Sequence, residues 1–292
     1  LFVTLLSTHD LAPLWQNRHF AFSTFLLAVS LSSSWQIAFC PYVSDYSRYL
    51  PQEVSAKRLF SAVFFGTVLG TQASMTLGVI VAAIAGSAFS GNEVGYIVGL
   101  GSSAAMAMVI YFAICFGKIT FTTLNAYGSF MSLTTIVSGF SRQTSLSRGG
   151  RISFVVLMVA ISCGIALISE PAFLKSFTHF LLFLLAFFVP WSAISLTDFY
   201  LITKGHIDIP ALSQPDGRYG RWNWPGIATY FIGVLIQLPF IDNPLHHGSL
   251  TWIFAGNDVS WIIGWFATAL LWLGMRRFDR RGALSATRYP VG

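Results

Sequence analysis

The stretch "SSSWQIAFCPYVSDYSRYLP", Ser32 to Pro51, opens as membrane helix and ends as charged loop. Upstream of it the chain is apolar, and no charge occurs from Phe20 to Ser44. An uninterrupted run of that length covers the roughly 20 residues that a helix needs to cross a bilayer. Three consecutive serines can hydrogen-bond locally and compete with the helix ladder. Pro41 removes one further helix bond. Unsatisfied backbone costs several kcal/mol in lipid, so irregular backbone survives there only where it is buried or lines a wet cavity. Trp35 to Cys40 therefore reads as the start of a broken helix, of the kind secondary transporters use to expose backbone groups to a solute. A plain kinked helix, with serines bonded back to the preceding turn, accounts for the same residues equally well.

Working outward, the chain repeats this pattern. Its 292 residues are 54% hydrophobic and 10% charged, against about 25% charged in a soluble domain. Seven spans are expected, at about 20–43, 58–86, 103–138, 152–169, 174–202, 225–242 and 258–275. The third is too long for one simple crossing, and its polar start, Gly91 to Ser103, reads as a separate short segment. The fold class is all-α, a polytopic membrane protein, with one transmembrane domain over 1–292. No basic region precedes Leu1 to Leu6 as in a signal peptide. The opening "LFVTLL" reads as the end of a preceding span, in a chain incomplete at its N-terminus.

Of the 17 basic residues, all but Arg18, Lys118 and Lys175 fall in alternate connecting segments or the tail. Those segments are Ser44–Arg58, Gly139–Arg151, Thr203–Trp224 and the chain beyond Met275. Acidic residues divide evenly between the two sides, with Asp198 near a span end. A Lys/Arg bias without an acidic bias is the positive-inside pattern. It predicts a cell-membrane, multi-pass protein whose first full span runs outside to inside and whose C-terminus is cytoplasmic. The net charge of +6 is then a topology signal, and no nucleic-acid partner is expected. Cys40, Cys115 and Cys163 lie in apolar runs without metal-ligand spacing and read as small core residues.

A second polar cluster, "GKITFTTLNAYGS", runs from Gly117 to Ser129 inside the third span. Lys118, Thr122 and Asn125 stand at i, i+4 and i+7 and share one helical face. Thr120, Thr123 and Tyr127 lie on a neighbouring face. An ionisable residue and an asparagine deep in a span usually face a bundle interior or a wet path. Asparagine pairs a donor with an acceptor, which suits the edge of a planar heterocycle; threonine hydroxyls suit a hard cation. Each threonine taken singly reads better as interhelical glue. Lys118 has three readings: a coupling group, an internal ion-pair partner, or a side chain snorkelling to an interface.

Weaker candidates are few. Pro190 is expected to kink the fifth span and Asp198 to sit at its cytoplasmic end. His179 reads as a packing residue, Gln72 and Gln237 as bridges between helices, and His246 and His247 as outer-loop residues without a metal-site partner. Enzyme motifs are missing: no phosphate loop, HExxH, GxSxG or paired acidic motif occurs. His179 and Asp198 share one span but are about 28 Å apart along a helix, too far to work as a pair.

Three motifs, in order, resemble the nucleobase–cation symporters, the cytosine/purine/uracil/thiamine/allantoin permeases. "SWQIAFCPYVSDYSRYLP" (34–51) is similar to their sixth helix and "TTLNAYGS" (122–129) to their eighth. "PWSAISLTDFYLITKGHIDI" (190–209) with "PDGRYGRWNWPG" (215–226) is similar to their tenth helix and following loop. The resemblance implies the C-terminal part of a twelve-helix, leucine-transporter-type fold, truncated at the N-terminus. It implies a cation-coupled secondary transporter importing a nucleobase such as cytosine or a purine, or a related small heterocycle. Trp35 then matches the residue that stacks on the base, Ser34 lies at the unwound break, and Asn125 matches the substrate-binding asparagine. Thr120 falls where sodium-coupled members place a hydroxyl ligand, but Ile119 stands where a second hydroxyl is expected. Lys118 close by makes proton coupling the competing expectation. No cofactor is expected beyond the coupling Na⁺ or H⁺, and the oligomeric state stays open. The alternatives are a same-fold transporter of another solute such as an amino acid, a membrane enzyme acting on lipid, and a non-transporting fragment.

Overall fold

The computed structural model describes residues 5, 19–47, 49–51, 53–89, 91–141, 148–169, 173–208, 211, 219–220, 222–243, 246–254 and 256–276. The helices, in chain order, are α1 (Phe22–Ser47), α2 (Ala56–Ala85), α3 (Glu93–Gly99), α4 (Ala104–Ser141), α5 (Arg148–Ser169), α6 (Phe173–Thr197), α7 (Trp224–Gln237) and α8 (Ser260–Met275). The described strands are the two-residue pieces β1 (Asp242–Asn243) and β2 (His246–His247). The fold is all-α because apolar backbone in lipid must satisfy its own hydrogen bonds, which a helix does within one segment.

Five helical segments, Phe22–Asp45, Ala56–Ala88, Ala104–Val137, Arg148–Ile168 and Lys175–Ile202, are long and apolar enough to cross a membrane. They coincide with the first five expected spans. The sixth and seventh are shorter than expected, since α7 has 14 residues and α8 has 16. A 14-residue helix rises about 21 Å, short of the ~30 Å hydrocarbon core. The cause at α7 is a 3₁₀ turn, Leu238–Phe240, that contains Pro239. At the other end, Asn223 Oδ1 accepts from Gly226 N at 3.0 Å and sets the start of α7. The polar segment before the third span is indeed separate: it forms α3.

Contacts divide the chain into two compact units, one of residues 1–19 and 41–176 and the other of 20–40 and 177–292. In the first unit α4 packs along α5 and against α3. Just beyond α1, Tyr49 shares a hydroxyl hydrogen bond of 2.7 Å with Tyr127 of α4. At 38 residues α4 is about 57 Å long, nearly twice the hydrocarbon thickness.

The second unit holds most of the buried side chains. Leu181, Leu185, Val189 and Ala193 form an i, i+4 row on α6 and are all buried. Thr229, Gly233 and Gln237 make a matching row on α7, and Ser260, Gly264, Thr268 and Trp272 one on α8. Small residues let these backbones approach closely: a Cβ at Gly233 would lie 2.3 Å from Thr268 Oγ1. Polar side chains tie the helices together. Trp261 Nε1 donates to Ser30 Oγ at 3.1 Å, joining α8 to α1. Gln237 Nε2 donates to Ala186 O at 2.9 Å, joining α7 to α6. Arg276, following α8, pairs with Asp198 at 3.7 Å, where α6 widens into the π turn Asp198–Ile202.

The expected break in the quoted stretch does not occur. α1 is one helix from Phe22 to Ser47, with Pro41 inside it. Two of its serines, Ser34 and Ser44, place their hydroxyls on carbonyl acceptors without breaking the helix. Ser34 Oγ donates to the carbonyl of Leu181 on α6, and Ser44 Oγ donates to Pro41 O at 2.6 Å. Pro41 withholds its own donor and crowds the carbonyl four residues earlier, yet the helix continues to Ser47.

Candidate functional site

The midpoint of the membrane-length segment Ala104–Val137 falls between Thr120 and Phe121. Lys118 and Asn125 are within about 7 Å of it along the helix axis. Lys118, Thr122 and Asn125 line one face of an unbroken α4, as their spacing predicts, and all three are exposed. None has a hydrogen-bond or ion-pair partner among the described residues. Thr120 and Thr123 differ: each donates to its own helix, to Phe116 O and Ile119 O, both at 2.9 Å. These bonds stay within α4 and are not the interhelical glue expected of single threonines, and they leave the hydroxyl oxygens free only to accept. Ile119, where a second hydroxyl would stand, is 67% exposed.

A lysine at the bilayer centre costs about 2.5–3.5 kcal/mol on insertion scales, and asparagine adds to that. A helix face that carries both is therefore a poor face for lipid. The other two faces of α4 are taken. Thr123, Ala126, Tyr127 and Phe130 border a groove shared with α5. Gly128 lies under the Tyr42 ring of α1, so that a Cβ there would sit 3.3 Å from Cε1 and 3.8 Å from Asp45 Oδ2. The polar stripe runs between these two contacts.

Ser34 and Trp35 belong to the second unit, and Lys118, Thr120, Thr122 and Asn125 to the first. Ser34 is 1% exposed, and its hydroxyl is committed to Leu181 O. It joins α1 to α6 and does not sit at an unwound break. Trp35, a third of a turn away, is 38% exposed and presents its indole at the surface of its unit.

The sequence reading missed the Tyr42–Gly128 and Tyr49–Tyr127 contacts; the only local signal was a glycine amid bulky residues. It also missed the partner of His247. In the hairpin after α7, Asp242 pairs with His247 and Asn243 with His246, which brings His247 Nδ1 to 2.5 Å from Asp242 Oδ1. Before α8, Asp258 Oδ1 accepts from Ser260 N at 3.0 Å and from Ser260 Oγ at 2.6 Å. Burial raises the Asp258 carboxyl above its ordinary range; bonds from Ser260 and the Asp242 backbone lower it, and the Asp242 charge raises it slightly. Gln237 bridges helices as expected, whereas Gln72 donates to Thr76 Oγ1 of its own helix at 3.2 Å. Of the basic residues that set the expected orientation, Arg18, Arg48, Arg142, Arg218, Arg221, Arg277, Arg280, Arg281 and Arg288 lie outside the described residues, as does most of "LFVTLL".

Comparison with known proteins gives two matches. A family model described as permease for cytosine/purines, uracil, thiamine, allantoin matches residues 3–264. A protein of Bacillus subtilis (strain 168), named provisionally as the purine-cytosine permease YxlA, is 32% identical over 248 residues. That alignment covers 85% of this chain and 53% of the relative, so the chain spans about half of the relative's length. No solved structure matches the chain.

Proposed function

The chain belongs to the family of permeases for cytosine/purines, uracil, thiamine and allantoin, and from that premise we propose that it forms part of a cation-coupled importer of a nucleobase or related small heterocycle. The observation that carries this reading is the exposed stripe Lys118–Thr122–Asn125 near the middle of the membrane-length segment of α4. Such a face demands a polar environment, and a solute pathway supplies one. Asn125 reads a donor–acceptor edge of the planar substrate. The exposed indole of Trp35 stacks on its ring, and Thr122 extends the polar face. Ser34 acts indirectly, by fixing the helix that carries Trp35. Coupling runs through either Na⁺ or H⁺: Thr120 is the hydroxyl for the first, Lys118 the coupling group for the second. Alternating access moves one helical bundle against another around the site, and the C-terminus is cytoplasmic.

The test is uptake of radiolabelled cytosine in cells expressing this chain alone or within a full-length permease. Unlabelled purines, uracil, allantoin, thiamine and amino acids serve as competitors. Competition by planar heterocycles but not amino acids is expected. Asn125→Ala and Trp35→Ala should each weaken apparent affinity at unchanged membrane abundance. Competition by amino acids, or two variants that bind as well as the parent, would refute the assignment.

A further inference from the structure

The groove between α4 and α5 has a chemistry that transport does not use. Its volume is about 390 Å³, and its walls are built from Ala126, Tyr127 and Phe130 of α4 and Ile152, Val155 and Val156 of α5. A single charged side chain, Arg151, borders it. The Arg151 guanidinium carbon lies 5.7 Å from the centre of the Phe130 ring, within cation–π range, which places the charge at the groove. Arg151 is exposed, and no carboxylate among the described residues pairs with it. Asp45 lies near Gly128, on another side of α4. Arg148 adds a second positive charge one turn earlier, at the helix end where the macrodipole is also positive.

We propose that this groove is a binding site for an anionic phospholipid, with an acyl chain along the apolar walls and the phosphate on Arg151. An apolar channel between two membrane-length helices excludes water-soluble ligands but matches a lipid tail. A guanidinium over the Phe130 ring at its head matches a phosphate, which it can meet with two parallel hydrogen bonds. Basic pockets between membrane helices hold anionic headgroups on the same logic. The face concerned is about a third of a turn around α4 from Lys118, Thr122 and Asn125, so lipid and transported solute would use different sides of one helix.

The experiment is native mass spectrometry of the full chain in detergent, titrated with dioleoylphosphatidylglycerol or dioleoylphosphatidylcholine. The parent should retain phosphatidylglycerol in preference. Arg151→Gln should lower that retention about five-fold, the effect of one basic side chain at a lipid surface, and lower retention of zwitterionic phosphatidylcholine by less. Arg151→Lys, which keeps the charge but not the fork, should retain an intermediate amount. Ala126→Phe, which fills the groove, should reduce both lipids. Equal retention of the two lipids by the parent, or an Arg151→Gln protein that holds phosphatidylglycerol as the parent does, would overturn the proposal. Circular dichroism of each variant separates loss of the site from loss of the fold.

Discussion

Replacing Gly264 by alanine tests the packing that holds the second unit together. A Cβ at this position would lie 2.3 Å from Gln237 Cγ, 2.5 Å from Cδ and 2.9 Å from Oε1. Carbon atoms in good contact stand about 3.5–4.0 Å apart. Gln237 has no freedom to yield cheaply: it is fully buried, and its amide nitrogen donates to Ala186 O at 2.9 Å and Gly233 O at 3.2 Å. Either α8 moves away from α7, or the amide leaves its acceptors. Overpacking costs about 1–3 kcal/mol, and a buried polar group left unpaired costs about 1–3 kcal/mol. Alanine regains about 1 kcal/mol over glycine in a helix. The net loss is then about 1 kcal/mol if one adjustment suffices and about 3 kcal/mol if both occur. Gly274 on the same helix supplies the control, since its added Cβ would meet nothing within 4 Å; Gly274→Ala should be neutral or slightly stabilising. Denaturant unfolding in micelles measures both variants. Combining Gly264→Ala with Gln237→Ala should cost less than the sum of the single changes, because the clash disappears. A Gly264→Ala protein as stable as Gly274→Ala would refute the reasoning.

Three further outcomes are expected. Burial lets folded Asp258 keep its proton to a higher pH than the unfolded chain does, so this group's contribution to stability falls as pH rises from the unfolded carboxyl value through the raised folded one. Asp258→Asn preserves an acceptor for Ser260 and should remove that fall; stability–pH curves of parent and variant that run parallel would contradict it. Ser34→Ala should lower stability by about 0.6–1.7 kcal/mol, the range for hydrogen bonds between membrane helices, without changing substrate selectivity; an altered competition profile would return Ser34 to the solute site. Lys118→Met should abolish the pH dependence of uptake if Lys118 couples protons, and uptake that keeps its pH dependence assigns Lys118 a structural role.

Helix positions were legible wherever one physical effect dominated. α2 and α5 come from long charge-free runs and α4 from an apolar run interrupted only by Lys118, and their observed limits lie within a few residues of those expected. The stripe on α4 was legible for the same reason, because helical periodicity alone places Lys118, Thr122 and Asn125 on one face. Partners distant in sequence were not legible. Ser34 and Leu181 are 147 residues apart, and Ser30 and Trp261 are 231 apart. Nothing local to either member of such a pair points to the other. The short α7 lay between these cases: Pro239 was visible, but the apolar residues around it read as a continuing span.

The quoted stretch shows what an apolar helix gains from polar residues when it stays intact. Before Pro41, Ser30 accepts from Trp261 of α8 and Ser34 donates to Leu181 of α6, and residues 20–40 belong with those helices. From Pro41 onward the partners change: Tyr42 covers Gly128 and Tyr49 meets Tyr127, both on α4. The serines, tyrosines and proline thus mark the point where one continuous helix passes from one compact unit to the other. A change of packing partner and a break in the backbone call for similar residues, since both need polar side chains able to bond in an apolar setting. What separates the two is whether a buried hydroxyl finds a partner on another helix. Ser34 has one, which is why α1 can carry Trp35 on regular helix.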